Sequence, residues 1–324
     1  FKQIDVTGSV APFVSSVQAR VREMQALVAE KKYPDVPIGR HCNDPYPCGL
    51  KSKCWAAIPA QNVFTLKSDV KLAEALFGRG VVELKDIPDG IDLIPQHRIQ
   101  VNSAKTAAPH ANPEEIRSFL NQLVYPVHIL DFETVSPAIP VYDLSRPYEQ
   151  VPFQYSLDII SRANEPSTHL EYLHSGKSDP RPEILRRLHG EILSAGSIVA
   201  YNAKFEIKVL TDAAAAIPEY RTWLDELVAR FVDLYQPFRA CHYYHPSQLG
   251  SASLKAVLPA LTGRSYANLE IGQGQMASQE FFRITFTDVS QAESAKIRYA
   301  LEIYCKQDTD GLIDVLNALE KICR

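Results

Sequence analysis

The apolar residues near the start of the chain follow helical spacing. Between Val10 and Lys32 they recur every three or four positions, at Val14, Val17, Val21, Met24, Leu27 and Val28. This spacing predicts one amphipathic helix that ends before the prolines at positions 34 and 37. The stretch from Phe1 to Val6 is interpreted as a strand. From Pro59 to about Pro95, short apolar runs around a glycine turn predict small helices. Such helices resemble the hairpins that contact nucleic-acid backbones. Small helical units with this pattern more often serve only in packing.

A stretch rich in Ala, Pro, Asn and Ser at residues 102–113 predicts a linker and a domain boundary. Beyond it, strand-like and helix-like apolar runs are interspersed. The predicted elements are a helix at 113–123, strands at 127–132, 153–161 and 197–201, helices at 182–195 and 205–215, and further helices up to residue 324. This order predicts a mixed α/β domain at residues 114–324, preceded by a small helical segment at 59–101 and a cysteine-rich segment within residues 1–58.

Composition narrows the class of protein. The chain has 324 residues, 46% of them hydrophobic, which is enough for one large domain and one or two small ones. A formal net charge of −4 argues against a surface built for purely electrostatic nucleic-acid binding. Because no run of about 18 apolar residues occurs, we expect a cytoplasmic protein with no membrane partner. The chain begins with Phe1 and not with Met, so we expect an upstream portion in the full-length protein.

The first candidate functional motif lies at the end of the strand predicted at 127–132. Its apolar run is followed by Asp131-Phe132-Glu133, and residues two apart on a strand point to the same face. Like charges that are buried side by side repel each other, so such a pair needs a cation or a proton. Taken alone, the pair is more simply a solvated strand end.

Two further carboxylates follow helical patterns. Asn202 comes after the strand predicted at 197–201, and Glu206 then lies in the first turn of a helix, where the helix dipole alone would favour an acid. Asn202 is assigned equally to a phosphate contact and to helix capping. Tyr304 and Asp308 are four residues apart and share one helix face. A packed aromatic beside a surface acid explains that pair equally simply.

In this order, the three motifs together resemble those of the DEDD superfamily of 3′–5′ exonucleases in its tyrosine variant, which has a ribonuclease H-like fold. The histidine variant would place His where this chain has Ile303. The resemblance covers about residues 125–318 and implies phosphodiester hydrolysis of single-stranded DNA or RNA. It implies two Mg²⁺ or Mn²⁺ ions, a water oriented by Tyr304, and four metal-binding carboxylates, those of Asp131, Glu133, Glu206 and Asp308.

One position departs from the superfamily. Its second motif usually ends in Asp, whereas Glu206 places the carboxylate about one methylene further from the backbone. The stretches "LDFETVSPAIPVY", "RPYEQVPFQYSL" and "YHPSQLGSASLKAVLPAL" resemble a bacterial family known as domain of unknown function 2779, in which Glu recurs at this position. We therefore interpret Glu206 as a feature of that family.

Several other residues are candidates for substrate binding. Arg146 and Tyr148 lie in a loop, and Phe153 and Gln154 follow in a predicted strand. An arginine with two aromatic residues could hold a phosphate and stack on terminal bases, although a packed turn explains them equally well. Lys255 is a further candidate for a phosphate contact.

Three cysteines in "HCNDPYPCGLKSKCW" indicate a metal or a cluster. Cys42, Cys48 and Cys54 are separated by five residues each time, and His41 could add a fourth zinc ligand. The segment resembles the cysteine clip of iron–sulfur nucleases of the PD-(D/E)XK kind, whose fourth cysteine lies far upstream. The resemblance implies an iron–sulfur cluster and an upstream nuclease domain in the full-length chain, with the helix at 10–32 as its tail. The site is expected to be incomplete in this fragment.

Two other functions remain open at this point. The chain could be a catalytically silent scaffold that binds nucleic acid, in which Glu206 prevents metal binding. It could also be a phosphohydrolase that acts on nucleotides or dinucleotides and leaves longer strands intact.

Overall fold

Residues 3–32 and 35–324 are described by a computed structural model, which divides into two units, Phe1–Ile58 and Pro59–Arg324. The first unit contains helix α1 (Thr7–Ala29), a 3-10 turn at Arg40–Cys42 and the short helix α2 (Lys51–Cys54). Helix α1 confirms the helix predicted from apolar spacing, and all its side chains are exposed. Of the strand predicted at residues 1–6, positions 1 and 2 lie outside the described residues. Positions 3–6 are not a strand, because they pair with no strand in the described part of the chain.

The second unit holds ten helices and seven strands in the described residues. The helices are α3 (Val70–Gly78), α4 (Pro95–Thr106), α5 (Pro113–Leu120), α6 (Arg181–Glu191), α7 (Lys204–Ala216), α8 (Arg221–Val228), α9 (Gln236–Arg239), α10 (Leu254–Thr262), α11 (Gly274–Phe286) and α12 (Gln291–Ile322). The strands are β1 (His110–Ala111), β2 (Val127–Val135), β3 (Val151–Ile160), β4 (Thr168–Leu173), β5 (Ile198–Ala200), β6 (Phe231–Asp233) and β7 (Tyr243–Tyr244).

Five of the strands form one mixed sheet in the order β4-β3-β2-β5-β6. The central strand β2 pairs antiparallel with β3 and parallel with β5, and the sheet continues antiparallel to β4 and parallel to β6. Helices cover both faces. This arrangement confirms the predicted mixed α/β, ribonuclease H-like fold. Strand β4 was not predicted, because it lies at the sheet edge and only one of its six residues is buried.

Alternation along β2 gives the sheet two different faces. Ile129 and Val135 pack into one apolar cluster with residues of α10, α11 and α12. Leu130 and Phe132 pack into another cluster with residues of α6, α7 and α8. Asp131 and Glu133 share the parity of Ile129, so strand geometry directs them to the side of α12.

A β-bulge changes the alternation in β3. Glu133 pairs with Gln154 but Thr134 pairs with Pro152, so Phe153 is an extra residue in β3. The bulge allows Phe153 and Gln154, although adjacent in sequence, to contact the same helical layer.

Residues 59–106 form a small apolar cluster of their own around α3 and α4. The structure differs here from the predicted linker at 102–113, because residues 102–106 complete α4, with Val101 and Ser103 buried. The polar composition comes from the exposed side of this helix. The helix ends at Thr106, Ala107 follows it in a left-handed conformation, and β1 then pairs with β7. No helix among the described residues has the length and apolar character needed to span a bilayer.

Close backbone packing ties this helical segment to the rest of the second unit. Gly250 has φ of +79°, and a Cβ there would lie 1.9 Å from the carbonyl oxygen of Thr65. In the same segment, the ammonium of Lys67 donates to the carbonyl of Arg239 at 2.6 Å. The position of residues 64–68 therefore depends on a residue without a side chain at position 250.

Gly250→Ala is expected to lower the free energy of unfolding by at least about 3 kcal/mol. The left-handed backbone costs about 1–2 kcal/mol for alanine, and the clash with Thr65 adds a displacement of similar size. Gly263 has nearly the same φ, +80°, but open space around it, so Gly263→Ala should cost only about 1 kcal/mol. Urea denaturation of both variants measures the difference. Equal losses would contradict the contact between Gly250 and Thr65.

Candidate metal centre

Three carboxylates converge at one side of the sheet. Asp131 and Glu133 project from β2 and Asp308 projects from α12, and one oxygen of each lies within 4.8 Å of the others. Glu133 and Asp308 are buried, and Asp131 is partly buried. Within the described residues, no other three His, Cys, Asp or Glu side chains bring ligand atoms together in this way. Such a group could hold a metal ion, and its oxygen ligands favour a hard cation.

A row of buried polar residues on β3 holds α12 against the sheet. Gln154 donates to a main-chain carbonyl of α12 at 3.0 Å, and the hydroxyls of Ser156 and Thr309 lie 2.7 Å apart. Thr309 also donates to Asp158 at 2.8 Å. Because Thr309 follows Asp308 directly, these hydrogen bonds fix the position of the Asp308 carboxylate.

This arrangement corrects two predicted substrate contacts. Gln154 is fully buried, and its amide nitrogen is engaged with α12. Phe153 is fully buried as well, and its ring stacks on that of Phe281 with 3.9 Å between centroids. Both residues belong to the core, because the bulge in β3 turns them towards the helices.

Mutual repulsion accompanies the burial of the carboxylates on β2. Burial, together with the charge of Asp308, raises the pKa of Glu133 to about 8. Burial also raises the pKa of Asp131 well above its usual range, and the charges of Asp308 and Glu133 add to this effect. The group therefore favours bound protons or a cation near neutral pH.

Glu206, in the first turn of α7, lines the same cavity but is not one of the three converging acids. Its side chain is only 3% exposed, and within the described residues its Oε2 has no hydrogen-bond partner. Burial raises its pKa to about 8, and the charges of Asp233 and Asp308 contribute. A buried oxygen without a partner is costly, so this carboxylate also calls for a cation or a proton.

Tyr304 lies one helical turn before Asp308 and is buried. Lys255 donates to its phenolic oxygen at 3.3 Å and to the carbonyl of Gly272 at 2.7 Å. Burial raises the pKa of Tyr304, and the neighbouring carboxylates, that of Asp308 first, raise it further. Tyr304 is therefore a neutral phenol at physiological pH, and Lys255 is engaged with the site instead of being free for solvent.

Two residues of this site were missed by the sequence analysis. Tyr266 donates to Asp308 at 2.5 Å, and together with Lys255 it limits the rise that burial causes in the pKa of Asp308, to about 6. A Cβ on Gly274 would lie 3.6 Å from Glu133 and 3.9 Å from the Tyr304 hydroxyl. No spacing rule links a tyrosine to an acid 42 positions later, although the Gly-x-Gly before α11 marks a turn.

The four carboxylates, Tyr304 and Gly274 line a cavity of about 840 Å³, here called the carboxylate cavity. One part of its lining is acidic, through the four carboxylates. Another part is apolar, and three amides add hydrogen-bonding capacity. The apolar and amide residues are Phe132, Val135, Pro137, Phe205, Leu254, Phe282, Gln150, Gln275 and Gln279.

Three other predicted substrate contacts lie elsewhere. The Arg146 side chain is exposed and pairs with Glu149 and Asp212, at 3.0 and 3.3 Å. Tyr148 is 71% exposed in a loop, and neither residue is among the described residues that line the carboxylate cavity. Asn202 has φ of +63°, and its side chain does not cap α7. It lines a neighbouring cavity and is not among the described residues that line the carboxylate cavity.

The predicted cluster ligands do not converge in the described residues. Cys42 is buried with its sulfur 3.7 Å from a ring nitrogen of His41, whereas Cys48 and Cys54 are exposed. Their sulfur atoms do not form a group of three ligand atoms within 4.8 Å in the described part of the chain. An iron–sulfur cluster in a longer protein stays a prediction.

The fold and site together define an α/β protein of ribonuclease H-like architecture with an acidic, potentially metal-binding group. A family model described as "Domain of unknown function (DUF2779)" matches residues 128–253. The match includes Asp131, Glu133 and Glu206 and ends before Tyr304 and Asp308.

Two curated relatives and one solved structure are similar to this chain. "Uncharacterized protein MG366 homolog" of Mycoplasma pneumoniae is 25% identical over 205 residues, and "Uncharacterized protein MG366" of Mycoplasma genitalium is 24% identical over 214. The matches cover 57% and 60% of this chain but 31% and 32% of the relatives, so the chain spans about a third of their length. A family B DNA polymerase from Pyrobaculum calidifontis has a TM-score of 0.41 at 14% identity, covering 60% of this chain and 24% of the polymerase.

Glu206→Gln is expected to stabilise the metal-free protein at pH 8 by on the order of 1–3 kcal/mol. Folding raises the pKa values of Glu133 and Glu206 from an ordinary 4.5 to about 8. The stability that these groups contribute is therefore present below about pH 4.5 and is lost as the pH rises through 8. Urea denaturation with EDTA at pH 5 and pH 8 measures the effect.

The matched control is Glu226→Gln, an exposed position on α8. It should show no gain between the two pH values. A Glu206→Gln variant that is destabilised equally at both pH values would contradict the electrostatic interpretation.

Proposed function

We propose that this chain carries a metal-dependent 3′–5′ exonuclease that hydrolyses phosphodiester bonds of single-stranded DNA or RNA. The observation that carries the proposal is the convergence of Asp131, Glu133 and Asp308 beside the buried phenol of Tyr304. The 3′–5′ polarity and the tyrosine subtype follow from the resemblance of the three sequence motifs.

The residues present fit divalent cations. All four acids offer hard oxygen ligands, their pKa values are raised, and one buried oxygen of Glu206 has no partner among the described residues. Asp131, Glu133, Asp308 and Glu206 would hold two Mg²⁺ or Mn²⁺ ions. When bound, such ions lower the pKa of water and neutralise charge on the reacting phosphate.

Tyr304 and Lys255 would position the attacking water. Because Lys255 donates to the phenolic oxygen, the Tyr304 hydroxyl proton remains available for a hydrogen bond within the carboxylate cavity. In this role Tyr304 would act as a hydrogen-bond donor to the attacking water. Tyr266 would keep Asp308 oriented through its hydrogen bond.

The remaining lining of the carboxylate cavity suits a nucleotide. Partly exposed rings such as Phe205 and Phe282 offer faces on which a base can stack whatever its identity. Gln275 and Gln279, on α11, offer amides for hydrogen bonds to a base or a sugar. The volume of the cavity lies within the range of about 300–1,000 Å³ that is usual for ligand pockets.

Asp131→Ala and Asp308→Ala should each lower exonuclease activity by at least about 1,000-fold, because each removes a carboxylate of the converging group. The assay incubates 5′-labelled single-stranded DNA or RNA with Mn²⁺ and follows a ladder of shortening products. Asp314→Ala is the control, since Asp314 lies on the same helix and pairs with Arg264 away from the cavity. That surface pair contributes little to stability.

Other outcomes of this assay would favour other functions. A ladder that persists in both variants would contradict the assignment. Binding of the strand without any cleavage would indicate a silent scaffold, and cleavage of dinucleotides but not of longer strands would indicate a small-substrate phosphohydrolase.

Tyr304→Phe should lower kcat about 100-fold while leaving Mn²⁺ affinity unchanged, because it removes one hydroxyl and keeps the packed ring. Tyr299→Phe, at a 66% exposed position on the same helix, should leave kcat unaltered. Calorimetric Mn²⁺ titration accompanies the kinetics. An unchanged kcat would remove Tyr304 from the mechanism, and a loss of Mn²⁺ affinity would show that it only supports the carboxylates.

A further inference from the structure

A second cavity, of about 650 Å³, adjoins the carboxylate cavity. Tyr201 and Leu254 line both. Tyr201 is held firmly as this shared boundary, because its hydroxyl donates to the carbonyl of Ala252 and its ring packs edge-on against Tyr235 at 5.6 Å. The two cavities are therefore neighbouring parts of one continuous surface.

The two cavities differ in charge. Four carboxylates and one guanidinium, that of Arg283, line the first, whereas the described residues around the second include Lys67 and neither Asp nor Glu. Lys67 lines this cavity, and its ammonium donates to the main-chain carbonyls of Phe238 and Arg239, at 3.3 and 2.6 Å. A cavity with this charge suits an anionic ligand, while the carboxylate cavity suits cations.

The lining of the second cavity combines aromatic and small polar groups. Phe64 and Tyr235 are partly exposed, and Ser68, Asn202 and Ser251 are exposed. Aromatic faces stack with nucleic-acid bases, and hydroxyl and amide groups bind phosphate or sugar oxygens. The combination fits a single strand better than it fits an apolar peptide.

The segment at residues 64–68 is held rigidly in place. Gln100 is fully buried, accepts from the Lys67 amide at 2.9 Å and donates to the Thr65 carbonyl at 3.0 Å. A ring nitrogen of buried His97 lies 2.9 Å from the Lys67 carbonyl. The helical segment of residues 59–106 thus presents one side of the second cavity in a fixed form, which lowers the entropic cost of binding.

We infer that the second cavity binds the nucleotides on the 5′ side of the terminal dinucleotide, so that the enzyme acts preferentially on strands longer than a dinucleotide. This inference rests on the proposed function, which places the 3′ end in the carboxylate cavity. It gives the helical segment a role in substrate binding that the active-site residues do not require.

The test compares Ser68→Asp with Ser68→Asn. Both side chains have the same size and tolerate the left-handed backbone that Ser68 has, φ of +59°, so the variants differ in charge alone. At low salt, Ser68→Asp should raise KM for a strand of about ten nucleotides at least about threefold over Ser68→Asn, with the gap closing at high salt. Cleavage of a dinucleotide should be equal in both variants.

Two results would overturn the inference. One is an equal KM for the longer strand in both variants, and the other is an equal change for the longer strand and the dinucleotide. If the unmodified chain cleaves neither substrate, the proposed function fails by itself. In that case, fluorescence anisotropy of the labelled strand in EDTA tests the strand-binding site alone. Weaker binding by Ser68→Asp than by Ser68→Asn would support the site, and equal binding would reject it.

Discussion

Repulsion between buried carboxylates is the constraint on which the site depends. Asp131, Glu133, Asp308 and Glu206 line one cavity, and burial raises the pKa of each of them. Side chains that repel each other would separate if their backbones were free to move. They stay together because β2 is the central strand of the sheet and α12 is a long helix anchored along it. The packing of the whole domain therefore offsets the unfavourable free energy of the carboxylate repulsion.

The bulge in β3 makes this anchoring possible. Phe153 extends the apolar core towards α11, and from Gln154 to Asp158 every second residue of β3 contacts α12 through a polar group. One strand thus serves two purposes on the same face, an apolar contact near the cavity and a hydrogen-bonded contact along α12. The position of Asp308 follows from the second contact, because Thr309 takes part in it.

Local periodicity explains what could be predicted from the sequence. The alternation that ends in Asp131 and Glu133, and the four-residue spacing of Tyr304 and Asp308, are properties of single elements. Contacts between distant segments were not visible in this way. Tyr266 contacts Asp308 only because the intervening chain folds back. Gln154 was predicted to contact substrate because the β-bulge that turns it towards α12 cannot be recognised from the sequence.

The charge difference between the two cavities also bears on how a strand would approach the site. When its carboxylates are ionised and no cation is bound, the carboxylate cavity repels phosphate, whereas the described lining of the second cavity contains Lys67 and no acid. Under the proposed function, the 5′ part of a strand can therefore be held before the metal ions are in place. Its terminal phosphate enters more easily once cations or protons have neutralised the acids. Strand binding and cation binding would then be favourably coupled, since each lowers the electrostatic cost of the other at the boundary formed by Tyr201.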